Sequence, residues 1–271
     1  ENGEWEANWA KYEEARDTVL PLLQQLDAAN RECLLPGMAD GQGAVVLSAA
    51  AADDAWCEFM PAADAQLPLP TLALVYGVSD AGLVKEAASE YTAVIQQVID
   101  IAHEKNPDEV PPLKIPPPEK SVLASGTLYA YELPGEWGAS ERVAPNAVLS
   151  DSVLVLSVLP ELGERLAAGS QPLVDGPAAE FDRPLVAASH FKFAKFLQTL
   201  DPWIDYGIKA AIANASEEEG AGAVAMIGMV KPQLDQLLEV LQTMHAYTGV
   251  TYREEDAWVT HAEMRLIDLE E

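Results

Sequence analysis

Residues 151–169, DSVLVLSVLPELGERLAAG, decide how this chain is read. Val153 to Val158 is an apolar run of strand length, and Leu162 and Leu166 then recur at helical spacing. Between them stands Pro160, suited to the first helical turn, where its missing N–H is not needed. Glu161 complements the positive end of the same helix. A strand that runs straight into a helix can be an active-site device, as in nucleophile elbows and phosphate loops, or it can be scaffold.

The step recurs. TLALVYGVSDAGLVKEAA (71–88) repeats VLVLSVLPELGERLAA (153–168), with Ser79 or Asp80 able to cap the helix, which runs on to about Glu104 and stops at Asn106-Pro107. RPLVAASHFKFAKFL (183–197) is a looser third version. Two hairpins accompany these steps. One is NAVLSDSVLVLSV (146–158), turning at Ser150-Asp151-Ser152; the other closes the chain and turns at Glu254-Glu255-Asp256. A catalytic turn usually occurs once and breaks local rules, whereas this one obeys them, so the step reads as architecture. The predicted fold is α+β: mostly antiparallel, meandering sheet with helices packed on one face, in two similar strand–helix–hairpin units.

The first unit covers 1–110 and the second 111–271, unless the two form one continuous domain. The boundary falls in NPDEVPPLKIPPPEK (106–120), whose six prolines make a stiff, extended connector. Upstream, Trp5, Trp9, Tyr12, Val19, Leu22, Leu23 and Leu26 predict an amphipathic helix over 3–29; its aromatic stripe suits a ligand platform, but a stripe at helical spacing is more often core, and that is the expectation. AVVLSAAA (44–51) reads as a strand, EEEGAG (217–222) as punctuation, and MVKPQLDQLLEVLQTMH (229–245) as a helix.

The net charge is −28, from 44 acidic and 16 basic residues. Such a field repels polyphosphate backbones and anionic bilayers, which disfavours nucleic-acid binding. No apolar run approaches the ~18–20 residues that span a bilayer, so no direct membrane insertion is expected. The opening ENGEWEANWAKYEEAR is no signal peptide and lacks an initiating Met, which points to a processed or excised chain. The segments TLYAYEL (127–133), APNAVLSDSVLVLSVLPELGERLAAG (144–169) and YREEDAWVTHAEMRLIDLEE (252–271) resemble exported bacterial proteins of unknown function built from duplicated α/β units. The resemblance spans roughly residues 120–271 and implies a periplasmic, cell-surface or secreted location, with no active-site residues to carry over.

Chemistry is sparse. His103, His190, His245 and His261 form no HExxH and no helical pair, though His245, at a helix end, and His261 can meet in space. No calcium loop, Walker loop or GxGxxG occurs, so no metal and no cofactor is expected. Cys33 and Cys57 allow one disulfide or two thiols, and Cys57 lies among acids that oppose thiolate chemistry. Ser79 sits where a cap is needed, not a nucleophile. One constellation stands out: His261, Glu263 and Arg265 alternate on one strand face, with Tyr252 on the opposing strand. Opened into a cleft, that face suits a polar or anionic ligand; left open to solvent, it is a surface of cross-strand ion pairs. The expected function is a non-enzymatic binding or scaffold module whose partner is a protein or a small polar ligand. The alternatives are a hydrolase with a carboxylate/His site and an acidic divalent-cation-binding module.

Overall fold

The structure, a computed structural model, describes residues 2–169, 184–214 and 217–267. The chain folds into two compact units that interleave along the sequence. The first comprises Glu1–Val46, Leu72–Pro134 and Glu141–Ser170, and the second Leu47–Thr71, Gly135–Ser140 and Gln171–Glu271.

In the first unit α1 (Asn2–Ala29) continues through a π turn, Asn30–Leu34, into the short α2 (Leu35–Gly37), so the helix outlasts its predicted end. Trp5, Trp9 and Tyr12 do not enter a core. They are 66%, 47% and 56% exposed; Trp5 stacks on Trp9 with ring centroids 5.6 Å apart, and Tyr12 lies tilted against Trp9 at 5.3 Å. Spacing of four and three residues puts three rings on one helix face, but it does not say what covers that face.

After β1 (Gly43–Ser48), and the β2 (Ala52–Asp53) and β3 (Leu67–Pro68) of the other unit, β4 (Thr71–Gly77) leads into α3 (Ala81–Lys105). Asp80 caps α3 by accepting from the amides of Gly82 and Leu83 at 2.8 and 3.1 Å. Then come β5 (Glu119–Leu123), β6 (Gly126–Ala130), β7 (Asn146–Leu149), β8 (Val153–Ser157) and α4 (Pro160–Ala167). These strands form one sheet of order β1-β4-β8-β7-β6-β5, which runs straight across the expected boundary at residue 110. The reason is register: the β7–β8 hairpin lays β8 antiparallel to β4, from Leu74 opposite Leu156 to Gly77 opposite Val153.

The proline-rich segment is no linker. Gln96 of α3 accepts from the Ile115 amide and donates to the Leu113 carbonyl, both at 2.9 Å, and the His103 Nδ1–H donates to the Val110 carbonyl. The segment then turns into β5, a strand its prolines concealed. At the β5–β6 turn Gly126 has φ +145°, and a Cβ there would stand 2.5 Å from the Leu149 carbonyl oxygen, so only glycine fits.

Alternation along β7 places Leu149 on one face and Val148 on the other. Leu149, Leu154 and Tyr76 pack with Val84 of α3, while Gly163 of α4 lies against Asn146 and Val148. The helices therefore cover both faces of this sheet, and Val148, Val155 and Leu159 are at most 1% exposed.

In the second unit β2 and β3 pair, and Trp56 Nε1 donates to the Leu67 carbonyl. Then β9 (Leu185–Phe191) leads into α5 (Phe193–Gln198), α6 (Asp201–Asn214), α7 (Glu217–Gln242), β10 (Met244–Glu254) and β11 (Ala257–Leu266). The acidic run at 217 thus opens a helix. On α6, Trp203 donates to the Pro68 carbonyl and Tyr206 to that of Pro61. The closing hairpin turns at Glu255-Asp256, with Glu254 opposite Ala257. Its sheet has the order β11-β10-β9, antiparallel throughout, and α5 and α7 contact β10. Among the described residues no helix is long and apolar enough to cross a membrane.

Candidate functional site

Residues directly opposed in an antiparallel sheet share a face. In β9-β10-β11 that rule makes two rows: His190, Thr248 and Glu263 stand side by side, and Arg265 stands beside Ala246. His245 would point the other way, but the β10–β11 register slips between Met244 and Ala246. Such a bulge re-aims a side chain, and His245 reaches the same cleft as Ala246. From β9 the chain enters α5 through Lys192, and Lys195 follows on the first turn.

The result is a cleft of about 220 Å³ with His190, Lys192, Lys195, His245, Glu263 and Arg265 around buried Ala246 and Thr248. His190 Nδ1 and Thr248 Oγ1 are hydrogen-bonded at 2.9 Å, which orients that imidazole. The Nδ1 atom of His245 is buried and finds no hydrogen-bond partner among the described residues. Arg265 Nε lies 4.0 Å from Glu263, both side chains half exposed. Lys192 and Lys195 make no ion pair among the described residues. Three fixed cations and two imidazoles thus face one carboxylate, in a chain of net charge −28.

Glu263 and Arg265, picked out by strand alternation, line this cleft. His261 and Tyr252 share the sheet face but not the lining. The Tyr252 hydroxyl and His261 Nε2 are 3.2 Å apart, and the rings stack 8° from parallel with Tyr252 buried. His245 does not end a helix or meet His261; it belongs to β10. Sequence reading missed His190, Lys192, Lys195 and His245 as members of one site. A signal existed: residues 190–195, HFKFAK, hold a histidine and two of only sixteen lysines and arginines in an acidic chain.

Other chemistry does not assemble. No three His, Cys, Asp or Glu side chains among the described residues group as metal ligands. Cys33 and Cys57 are free thiols, and burial, with Glu86, Glu32 and Glu90 nearby, pushes the Cys33 thiol above its ordinary value, against thiolate formation. No family model, curated protein or solved structure matches the chain.

Proposed function

We propose that this protein is a non-enzymatic binding module that holds a small anionic ligand in the cleft of its second unit. The supporting observation is the convergence of Lys192, Lys195, Arg265, His190 and His245 on one concavity of a strongly acidic chain. Cations gathered against the average charge lower the energy of an anion there and repel metal ions, which argues against a divalent-cation module. Size narrows the choice. At about 220 Å³ the cleft is smaller than the ~300–1,000 Å³ of sites for drug-sized ligands, and the acidic remainder of the molecule repels polyanions.

Titration calorimetry with phosphate, sulfate, succinate and citrate tests the proposal. At least one should bind, and Lys195→Glu or Arg265→Glu should weaken it by roughly ten-fold or more, the range for losing a charge-assisted hydrogen bond. Absence of binding at millimolar anion, or reversal variants that bind as well as the parent, overturns it.

A further inference from the structure

We infer that the ligand of this cleft is a small dianion that also carries a hydroxyl or ammonium donor, and that Glu263 accepts from that donor; the inference rests on the binding-module reading above. Glu263 is the one carboxylate among the described lining residues, and it shares a cross-strand row with Thr248 and His190. For a bare anion it is a liability, since like charges within a few ångströms repel. Nor is it there merely to neutralise Arg265. The guanidinium has five N–H donors in a fixed fork, and its Nε stands 4.0 Å from the Glu263 carboxylate, too long for a hydrogen bond. Glu263 therefore keeps acceptor capacity facing the cleft, as Arg265 keeps donors.

A ligand with both charge and a donor uses both. Three fixed cations less one carboxylate leave a net two positive charges, which favours a doubly charged anionic group on the ligand. The small volume admits a four-carbon diacid or the phosphate ester of a short amino alcohol and has no room for a nucleotide. The donor also provides selectivity, because Glu263 repels a bare dianion and accepts from one that carries a donor.

Matched pairs test this by calorimetry. Malate is succinate with one hydroxyl added, and O-phosphoethanolamine is ethyl phosphate with one ammonium added. The donor-bearing member of at least one pair should bind roughly ten-fold or more tightly than its partner. The pair that shows the preference assigns the anion as carboxylate or phosphate. Glu263→Ala should bring the ratio to within about two-fold while the bare dianion binds as well or better, which also shows that the cleft is intact. Equal binding within both pairs, or a preference that survives Glu263→Ala, overturns the inference and leaves the anion-binding reading standing. Failure of every anion to bind overturns both.

Discussion

The β8–α4 and β9–α5 steps each carry a strand into a helix, yet the two regions use the device differently. At β8–α4 the link turns inward. Leu159 and Leu162 are 1% and 3% exposed, and Ser157 Oγ both accepts from the Leu159 amide and donates to its carbonyl at 3.1 Å. At β9–α5 the link carries His190, Lys192 and Lys195 to the wall of a cleft, and the apolar share falls to Phe191, Phe193 and Phe196, whose rings pack together. Repetition identifies the device as architecture, but it does not make every copy inert. The copy that departs furthest from the apolar pattern is the one whose polar residues line a cleft.

The contrast can be broken or sharpened by substitution. The largest effect is expected from Leu159→Ala, which should cost about 3 kcal/mol of stability in urea unfolding, as for large-to-small changes at buried sites. The cleft residues all come from the second unit, so its anion affinity should change by less than about two-fold. Lys195→Glu should do the reverse, moving the same unfolding transition by less than about 0.5 kcal/mol while weakening the anion. If both substitutions damaged stability equally, the two steps would not differ as described.

A middling effect is expected at the other first-unit step, β4–α3. Asp80→Ala removes the acceptor for two free helical amides and should cost about 1 kcal/mol, with Asp80→Asn restoring most of it. The smallest concerns the exposed Asp64–Lys209 pair. The hydrogen bond from Lys209, then its charge, holds the Asp64 carboxyl below the ordinary carboxylate range. A depressed carboxyl contributes stability above its ordinary range and loses it as pH falls through the depressed value. Lys209→Met should therefore raise the Asp64 titration midpoint in an NMR pH series without shifting the thermal transition measurably.

Local chemistry was legible in the residues themselves. Asp80 as a cap, Pro160 at the first turn of a helix, the two hairpins and the alternation that puts Glu263 beside Arg265 all depend on neighbours within a few positions, so spacing alone reveals them. The α+β class follows, because apolar runs of strand length alternate with helical stripes whatever their order in space. Tertiary structure decided the rest. The sheet that joins β4 to β8, and the strand hidden behind six prolines, depend on pairings between distant segments. So does the bulge that turns His245 toward residues eighteen and more positions away. A side chain's spacing fixes which neighbours share its face, but which other segment meets that face is set by the sum of many weak long-range contacts.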